Sequence, residues 1–516
     1  MTVVSKTNTT EKVSSNELGG ETITTTTTLA YSQINKVLIS KVERLSALKN
    51  DDKSSTTSCA DHKDGSLPNF ESHELIGTPS GNDDCEHLVL VDTVRKPGMD
   101  PVSRAFYAAG PRRCLHFQRT TVNAAIVTCG GLCPGMNNVI RTLVHTLYNL
   151  YSVQQVWGVT GGWNGFHLNN PDFEPVLLTN ELVHDIHHQG GSFLSTSRGG
   201  LDIDKTVEFL QSKNICQLYI IGGDGTHRAA YKVHEACMAR KLNVAVAGIP
   251  KTIDNDIAFT DRTFGFQSAV EAAQEAIRTG FVEAKCTLPN GIAVIKLMGR
   301  SAGFLAAYAA LGSGVVDAVL VPEVPIVLDG PNGLLPFIHA RVRKKKYAVV
   351  VVAEGAGEEL LGETAEKEAG SGNKKLPAIA EWIRDRILEY FTSQGDQARM
   401  KFIDPSYLVR SVPANASDSL YCSELAENAV HGAMSGFTGF SVGLVNNKVV
   451  YIPIPQLVES SPRHMNPYST FWKRVLAMTG QPNTLPPQDT MDNGATHGSL
   501  RASTQLYTDP GMNAAS

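Results

Sequence analysis

The amino-acid sequence predicts an α/β protein with parallel-rich sheets, and three observations lead to that prediction. The chain has 516 residues, of which 42% are hydrophobic and 19% charged, as in globular proteins of about two or three domains. Its centre, about residues 90–477, alternates short apolar runs that end in glycine or aspartate with stretches of helical spacing. Continuous apolar runs are typical of strands whose two faces are both buried in a parallel sheet.

The predicted elements follow one another along this central region. Helical spacing is clearest over residues 137–150 and 262–279, and residues 302–321 are predicted to form a buried helix followed by a buried strand. Ligands of open parallel sheets bind beyond the carboxyl ends of the strands, so we expect functional residues directly after each run. The predicted strands are residues 122–128, 156–160, 217–221, 244–249, 292–297, 318–321 and 347–353.

The ends of the chain differ from its centre. Residues 1–89 form an N-terminal extension that is predicted to be largely disordered, because its start is rich in threonine and serine and residues 51–69 are polar. Apolar residues near helical spacing predict a short amphipathic helix over residues 32–49. Residues 481–516 are rich in Pro, Asn, Thr and Gly and are predicted to be a polar tail.

Charge and cysteine usage exclude several classes of protein. The formal net charge is −5, whereas unspecific nucleic-acid or membrane-surface binders normally carry a basic excess. Nine irregularly spaced cysteines are too few for a disulfide scaffold, which favours a reducing compartment, and we expect the cytoplasm. Cys129 and Cys133 lack a second ligand pair, so packing is favoured over zinc binding. The basic run 341–346 is interpreted as a solvated helix end, with an anionic effector site as the alternative.

Glycine-rich turns follow two of the predicted strands. Gly130 and Gly131 follow residues 122–128, and such a turn lets a backbone approach a phosphate, although it is also common as a plain turn. Residues 222–226 read Gly-Gly-Asp-Gly-Thr, and Asp224 among glycines suits a Mg²⁺ ion held together with nucleotide phosphates. The alternative is that Asp224 only caps the next helix.

Charged residues follow three further strands. Thr252, Asp254 and Asp256 come after residues 244–249, where a carboxylate would serve as base for a hydroxyl, unless the segment is a plain Asx-rich turn. Arg300 follows residues 292–297 and Glu354 follows residues 347–353. An arginine there would suit a sugar phosphate or a transferring phosphoryl group, although a single arginine is more often a surface ion-pair partner.

Taken together, residues 130–138, 190–198, 222–226, 252–256, 298–300 and Glu354 resemble the phosphofructokinase family in order and spacing. The resemblance covers roughly residues 106–455 and is closest to the ATP-dependent branch of plants and protists, which is similar to the pyrophosphate-dependent enzymes. It implies two Rossmann-like α/β domains with the active site in the cleft between them. The implied ATP-binding domain is residues 90–266 with about 410–455, and the implied sugar-phosphate domain is residues 267–409 with about 456–480.

The resemblance implies phosphorylation of fructose 6-phosphate to fructose 1,6-bisphosphate with Mg²⁺ and ATP, by a homotetramer that is often allosteric. Asp254 would be the catalytic base, with Thr252 beside it, and Arg300 would stabilise the transferring phosphoryl group. Asp224 would bind the metal. The implied ATP-binding residues are Gly130, Arg198, Gly199, Gly222, Gly223, Asp224, Gly225 and Thr226. The implied substrate-binding residues are Thr252, Ile253, Asp254, Met298, Gly299, Arg300, Glu354, Lys401, Tyr407 and Arg410.

The phosphoryl donor is where the family pattern gives mixed signals. Lys251 resembles the pyrophosphate-using relatives, whereas Gly225 resembles the ATP users, in which glycine leaves room for the α-phosphate. We expect Gly225 to decide in favour of ATP, because an aspartate there would oppose a phosphate with its own charge. The alternatives are a pyrophosphate-dependent enzyme and a non-catalytic subunit that binds sugar phosphates. Gly291 stands where bacterial relatives carry an arginine that reaches the neighbouring subunit.

Overall fold

A computed structural model of the chain describes residues 36–40, 42–45, 87–91, 93, 102–113, 115–168, 170–361 and 376–487. Its strands, in chain order, are β1 (Lys36–Ile39), β2 (Glu43–Arg44), β3 (Leu88–Leu90), β4 (Val102–Ala108), β5 (Asn123–Thr128), β6 (Gln155–Val159), β7 (Val176–Leu178), β8 (Gln217–Gly222), β9 (Ala245–Pro250), β10 (Gly291–Leu297), β11 (Ala318–Leu320), β12 (Tyr347–Ala353), β13 (Arg399–Ile403), β14 (Phe437–Thr438), β15 (Phe440–Val445) and β16 (Lys448–Pro453).

The α-helices lie mainly between these strands. They are α1 (Met136–His145), α2 (Ile203–Ser212), α3 (Asp224–Ala239), α4 (Phe266–Cys286), α5 (Phe304–Ser313), α6 (Leu334–Lys345), α7 (Glu358–Leu361), α8 (Ile379–Ser393), α9 (Leu408–Ser411), α10 (Ala416–Met434), α11 (Ile454–Glu459) and α12 (Thr470–Thr479). Side chains of Asp202, Asn415 and Ser469 cap α2, α10 and α12, as their short polar groups favour.

The larger sheet has ten strands in the order β1-β4-β16-β15-β9-β8-β5-β6-β7, with β3 paired to β4. Its centre is parallel, and Ile126 of β5 lies opposite Gly158 of β6 and Tyr219 of β8. Every residue of β5, β8 and β9 is buried, because helices cover both faces of the sheet.

The smaller sheet is parallel throughout, in the order β11-β12-β10-β13. Val294 of β10 lies opposite Val350 of β12 and Phe402 of β13. All of its strands come from the middle of the chain, between β9 and β14 of the rest of the fold. The predicted α/β class with parallel-rich sheets is confirmed, whereas the predicted domain boundaries stay a prediction.

The predicted strands all form, and each boundary differs from the prediction by at most a few residues. The predicted helix over residues 262–279 begins later, at Phe266, because Gly265 before it has a φ of 84° in the left-handed region, which a right-handed helix cannot include. Residues 137–150 form α1 followed by a π-helical turn over Thr146–Leu150. The predicted buried helix and strand over residues 302–321 correspond to α5 and β11.

The helix predicted over residues 32–49 is wrong for the described part of that segment. Lys36–Ile39 pairs in parallel with β4, and Glu43–Arg44 pairs with β14. Val42 and Leu45 are buried, and the Leu45 N–H donates to the carbonyl oxygen of Gly436 at 2.9 Å. The edges of β4 and β14 offer hydrogen-bonding partners that local periodicity does not reveal, so tertiary pairing decides the structure.

The predicted polar tail also begins differently from the prediction. Gln481 bonds the backbone of Val319, with Oε1 accepting from the N–H at 2.7 Å and Nε2 donating to the carbonyl at 3.0 Å. Thr484 donates to the carbonyl of Pro325 at 2.7 Å. Residues 481–487 therefore pack beside β11, because an amide side chain satisfies the edge of that strand, and residues 488–516 lie outside the described residues.

The basic run at the end of α6 is paired within the chain. Arg341 donates to the carbonyl of Thr479 at 2.7 Å, Arg343 pairs with Asp396 at 3.1 Å, and Lys345 pairs with Asp317 at 2.7 Å. The run does end α6, as interpreted, but these three side chains are paired within the chain rather than only solvated. In the part of the chain that the structure describes, no helix combines the length and apolar character of a membrane span.

Candidate active site

The candidate active site lies where the carboxyl ends of adjacent parallel strands meet. In the larger sheet β5, β8 and β9 are neighbours, with Thr128 opposite Ile221 and Ile221 opposite Ile249. In the smaller sheet β10 and β12 are neighbours, with Leu297 opposite Ala353. The residues that follow these strands therefore emerge side by side, where ligands of parallel sheets bind.

The glycine turn after β5 is held by the loop that carries Arg198. The Gly130 N–H donates to the carbonyl oxygen of Ser197 at 2.9 Å, and the Thr196 hydroxyl donates to the carbonyl of Gly130 at 2.9 Å. Gly130 has a φ of 89° and Gly199 a φ of 72°, in the left-handed region that glycine adopts readily. These contacts bring Gly130 and Arg198 together.

Lys251 joins this turn to the end of β9. Its side chain is buried, and Nζ donates to the carbonyl oxygen of Gly131 at 2.8 Å. A Cβ at Gly130 would lie 3.5 Å from Nζ, so the ammonium lies directly against the turn. Burial lowers the pKa of Lys251, and the negative charge of Asp254 opposes that effect.

Cys129 and Cys133 flank the turn as buried packing residues. The Cys133 thiol donates to the carbonyl oxygen of Phe264 at 3.3 Å. Burial raises the pKa of the Cys129 thiol to about 12 and also raises the pKa of Cys133. Both sulfurs are therefore held as thiols rather than as reactive thiolates.

The glycine-rich turn after β8 places Asp224 at the first position of α3. Its Oδ1 accepts from the Gly225 N–H at 2.7 Å, and its Oδ2 pairs with Arg228 at 3.1 Å. The Asp224 side chain is 43% exposed, and a Cβ at Gly225 would meet no atom within 4 Å. The carboxylate therefore borders open space that a ligand can enter.

Thr226 and His227 support this turn from within the chain. A Cβ at Gly222 would lie 2.4 Å from the Thr226 side chain, so the turn requires glycine there. His227 is fully buried, and its Nδ1 lies 2.9 Å from the carbonyl oxygen of Gly223 while its Nε2 lies 2.9 Å from the Ser441 hydroxyl. Since a carbonyl only accepts, Nδ1 donates and Nε2 accepts from the serine.

Asp224 fits a magnesium ion that is bound mainly through polyphosphate. Magnesium usually takes one or two protein carboxylates and fills its remaining positions with water and phosphate oxygens. Asp256 is close enough that the charge of Asp224 raises its pKa. Among the described residues, no group of three or more His, Cys, Asp or Glu side chains would hold a metal alone. The donor set thus suits a metal that arrives with a nucleotide.

The turn after β9 carries the candidate base, Asp254. Its N–H donates to the Thr252 hydroxyl at 3.1 Å, and the Thr263 hydroxyl donates to the Thr252 carbonyl at 2.7 Å. Asp254 Oδ1 is buried, and no donor among the described residues bonds it. A buried oxygen without a partner is costly, so a ligand hydroxyl at this position would satisfy it.

Burial raises the pKa of both Asp254 and Asp256, and neighbouring carboxylates raise it further. For Asp254 burial is the largest cause, Asp256 and Glu354 add to it, and Lys251 and Arg300 oppose it. Burial is also the main cause of the raised pKa of Asp256. A carboxylate whose pKa lies above its ordinary range is a stronger proton acceptor near neutral pH.

Two backbone bonds align the loops after β10 and β12. The Glu354 N–H donates to the last carbonyl of β10 at 2.9 Å, and the Gly355 N–H donates to the carbonyl of Gly299 at 3.1 Å. A Cβ at Gly355 would lie 1.9 Å from the carbonyl oxygen of Arg300, so the close approach requires glycine. Arg300 and Glu354 are brought together, and both influence the pKa of Asp254.

Ile253 and Met298 contribute to the site differently from their charged neighbours. The Ile253 side chain is buried in the apolar core, and Met298 packs partly against the same cluster. Their side chains therefore anchor the two turns on the apolar core.

The residues implied for the sugar 6-phosphate are only partly brought together. Arg410 lies with its guanidinium 4.8 Å from the ring centroid of Tyr407, which is 76% exposed. Lys401 lies within β13 opposite Ala293, well before the end of β10, and its Nζ pairs with Glu283 at 3.1 Å. Within this chain, Lys401 is therefore remote from the strand ends that hold the other residues.

The loop that carries Arg198 packs against the helix that carries Arg410. A Cβ at Gly190 would lie 1.7 Å from the carbonyl oxygen of Ser411. The Asn137 side chain fixes the same loop, because its Nδ2 donates to the carbonyl of Gln189 at 3.0 Å and its Oδ1 accepts from the loop backbone. Gly190 thus permits the contact between the two predicted phosphate-binding segments.

Gly291 has no room for a side chain. A Cβ there would lie 1.9 Å from the carbonyl oxygen of Ala284, near the end of α4. The arginine that bacterial relatives place at this position would require α4 to end differently.

Arg463 and Glu323 border the site but were not singled out from the sequence. Glu323 lies shortly after β11, at the kind of strand end where functional residues are expected. Its carboxylate accepts from the N–H of Gly303 at 3.0 Å, and burial raises its pKa. Arg463 donates to the carbonyl of Asn255 at 3.0 Å from a loop far along the chain, and no sequence pattern signals it.

Comparison with known proteins gives one consistent family. Residues 123–433 match the family described as Phosphofructokinase. The chain is 46% identical over 389 residues to "ATP-dependent 6-phosphofructokinase 7" of Arabidopsis thaliana, covering 75% of this chain and 79% of that protein. It is 47% identical over 384 residues to "ATP-dependent 6-phosphofructokinase" of Amycolatopsis methanolica, covering 73% and 83%.

Solved structures support the fold. The phosphofructokinase of Saccharomyces cerevisiae matches with a TM-score of 0.54 at 22% identity, over 70% of this chain and 48% of that chain. A pyrophosphate-dependent phosphofructokinase of Marinobacter aquaeolei matches with a TM-score of 0.57 at 20% identity, over 71% of this chain and 93% of that chain. At these identities the similarity concerns the fold alone.

Proposed function

The chain belongs to the phosphofructokinase family, and from this premise we propose how its residues carry out the reaction. Its relatives at 46% and 47% identity are ATP-dependent 6-phosphofructokinases. The chain is accordingly a kinase of glycolysis that transfers a phosphoryl group from ATP to fructose 6-phosphate, giving fructose 1,6-bisphosphate. The residue roles, the metal and the assembly are the proposal.

Asp254 is the proposed base for the 1-hydroxyl of the sugar. The observation that carries this role is the buried Oδ1 of Asp254, which lacks a donor among the described residues. The carboxylate would accept the hydroxyl proton as the oxygen attacks the γ-phosphorus of ATP, and the bond to the β-phosphate oxygen breaks. Thr252 holds the turn, since its hydroxyl accepts from the Asp254 N–H.

Arg300 and Lys251 are the proposed cations of the site. Both lie close enough to lower the pKa of Asp254, which keeps its carboxylate available as a base. Arg300 would neutralise negative charge that develops on the transferring phosphoryl group, because a fixed guanidinium needs no reorganisation during the reaction. Lys251 is fixed by its bond to Gly131, so its charge stays beside the glycine turn.

Asp224 is the proposed protein ligand of Mg²⁺, and the turns at residues 130–131 and 222–226 with Arg198 and Gly199 would hold the nucleotide. The ion would neutralise charge on the β- and γ-phosphates when it is bound with ATP. The exposed carboxylate of Asp224 and the open space beside Gly225 support this placement.

The sugar is proposed to lie on the loops after β10 and β12. Met298, Gly299, Arg300 and Glu354 would contact its hydroxyls, and Tyr407 with Arg410 would contact the 6-phosphate. The Nε of Arg410 is buried without a partner among the described residues, which supports a ligand for that guanidinium.

Lys401 would reach a phosphate only in an assembly, since within one chain it pairs with Glu283. We further propose a homotetramer with allosteric control in the cytoplasm.

The donor assay tests the proposal most directly. Purified protein with fructose 6-phosphate and Mg²⁺ is supplied with ATP or with pyrophosphate, and fructose 1,6-bisphosphate is measured through aldolase-coupled NADH oxidation. Turnover with ATP and little or none with pyrophosphate is expected. Efficient use of pyrophosphate would favour a pyrophosphate-dependent enzyme, and absence of turnover with either donor would contradict both functions.

A further inference from the structure

Residues 461–465 connect the turn of the candidate base to the loop of Arg300. On one side, the Ala258 N–H donates to the Ser461 hydroxyl at 3.0 Å. On the other side, His464 Nδ1 donates to the carbonyl oxygen of Ser301 at 2.7 Å. This segment, called here the bridging segment, thus contacts the loops of both sheets between which the substrates are proposed to lie.

Arg463 makes the bonds of the bridging segment to the base turn. Its Nη2 donates to the carbonyl of Asn255 at 3.0 Å, its Nη1 donates to the carbonyl of Thr260 at 2.6 Å, and its backbone N–H donates to the carbonyl of Asp256 at 2.6 Å. The guanidinium also lies 4.9 Å from the ring centroid of Phe304, at the start of α5. One arginine therefore spans most of the turn.

The conformation of the turn explains why it needs the hydrogen bonds from Arg463. Asn255, between the two carboxylates, has a φ of 56°, which a residue with a side chain adopts at an energetic cost. The side-chain Oδ1 of Asn255 accepts from the Thr263 N–H at 3.0 Å, and the backbone carbonyl of Asn255 accepts from Arg463. The direction in which Asp254 points depends on this backbone being held.

The other end of the bridging segment is anchored by Glu323. Its carboxylate accepts from the N–H of Met465 at 2.8 Å and from the N–H of Gly303 at 3.0 Å. Gly303 follows directly after the loop of Arg300 and precedes α5. The bridging segment therefore has a fixed position relative to the proposed phosphoryl-stabilising arginine.

We propose that Arg463 is a positioning residue, which holds the Asp254 turn in register with the Arg300 loop for phosphoryl transfer. The inference rests on the proposed role of Asp254 as base. The guanidinium donates to backbone carbonyls, so its role is geometric. Small displacements of a reacting group lower turnover much more than they lower ground-state binding.

The test uses Arg463→Ala in the full-length protein, with Arg474→Ala, an exposed arginine of α12, as the matched control. We expect the kcat of Arg463→Ala to fall about 10- to 100-fold while KM for ATP and for fructose 6-phosphate changes less than about threefold. The control is expected to behave like the unmodified protein.

Chemical rescue distinguishes positioning from general destabilisation. A cavity of about 330 Å³ adjoins Arg463, Phe304 and Tyr308, so added methylguanidinium has a route to the vacated position. Methylguanidinium is expected to restore much of the kcat. Methylammonium lacks the planar pair of nitrogens that bond the carbonyls of Asn255 and Thr260, so it is expected to restore little. Rescue would not follow if the variant were merely misfolded.

The outcomes separate this inference from the proposed function. Asp254→Asn is measured in the same assay, and if it keeps its turnover the base assignment fails. If Asp254→Asn loses turnover while Arg463→Ala keeps it, only the present inference is overturned, as it is by a lost kcat that methylguanidinium does not restore. Should Arg463→Ala fail to fold, Arg463→Lys replaces it: a lowered kcat at preserved KM supports positioning, and an unchanged kcat overturns it.

Discussion

At the scale of single residues, the carboxyl of Asp254 lies between groups of both signs. Asp256 and Glu354 raise its pKa together with burial, whereas Lys251 and Arg300 lower it. The charged carboxylate is thus kept at a cost, in a position where it has no hydrogen-bond donor among the described residues for Oδ1. Such an arrangement is typical of catalytic groups rather than of structural ones.

Asp254→Asn is expected to lower kcat by about 10²- to 10⁴-fold while the affinity for both substrates is nearly preserved, because an amide cannot accept the hydroxyl proton. Steady-state kinetics with ATP and fructose 6-phosphate would measure this. Asp172→Asn, on an exposed loop, is the matched control. A variant that keeps most of its turnover would remove Asp254 from the role of base.

The same substitution is expected to stabilise the protein at neutral pH. A carboxyl whose pKa is raised by folding favours the folded state at low pH, and this contribution is lost as the pH rises through the raised pKa. Asparagine stays neutral, so the gain in the free energy of unfolding should be near zero in acid and reach about 1–3 kcal/mol at neutral pH. The melting temperature should rise in the same way. Melting curves of both proteins across this range measure it, and a gain that decreases with pH would contradict the raised pKa.

Gly225 is expected to select the donor through charge. A Cβ there meets no atom within 4 Å, so Gly225→Asp and Gly225→Asn should both fold. The aspartate is expected to raise KM for ATP by at least about tenfold, because it sets a negative charge against a phosphate, and the neutral asparagine is expected to raise it less. Equal effects of the two variants would mean that bulk, not charge, matters at this position.

At the scale of elements, the position of the site could be predicted because buried parallel strands are recognisable as continuous apolar runs. β5, β8 and β9 are continuous apolar runs, and the residues after them could be searched directly. The helix predicted over residues 32–49 was wrong because β1 and β2 depend on strands far along the chain. The role of Arg463 could not be predicted for the same reason, because it depends on contacts with residues 255–260, which are distant in sequence.

Gly190 gives a prediction about two elements that must pack closely. Gly190→Ala places a methyl group 1.7 Å from the carbonyl of Ser411, so the Arg198 loop and α9 must separate. We expect a destabilisation of about 1–3 kcal/mol and a raised KM for both substrates. Gly191→Ala is the control, because its Cβ meets no atom within 4 Å and only its φ of 78° is unfavourable. Substrate affinities unaffected by Gly190→Ala would show that this contact does not organise the site.

At the scale of the whole molecule, segments distant in sequence complete each part of the fold. The bridging segment contacts the loops that follow β9 and β10, and Gln481 satisfies the edge of β11. Similarly, β15 and β16 join the larger sheet, whose other strands precede β10, and β14 pairs with β2. Each central strand was therefore predictable from its own residues. The strands and loops that complete the sheets depend on long-range pairings that no local pattern encodes.

The segment 36–45 provides the last test at this scale. Its strand β1 extends the larger sheet beyond β4, while Val42 and Leu45 are buried, each contributing about 1.5–3 kcal/mol through the apolar area that it removes from water. Deletion of residues 1–45 also removes the bond from the Leu45 N–H to Gly436 and takes away the strand that pairs with the first half of β4, which favours association between chains.

We expect that deletion to lower the melting temperature by at least about 5 °C and to promote aggregation, measured by thermal unfolding and light scattering. The kcat at low temperature should change little, because none of the proposed catalytic residues lies in the deleted segment. Deletion of residues 1–35 is the matched control, since it leaves β1, Val42 and Leu45 in place. If both deletions lower the melting temperature equally, the stabilisation comes from residues before β1. If neither lowers it, the pairing of β1 with β4 contributes little to the stability of the folded protein.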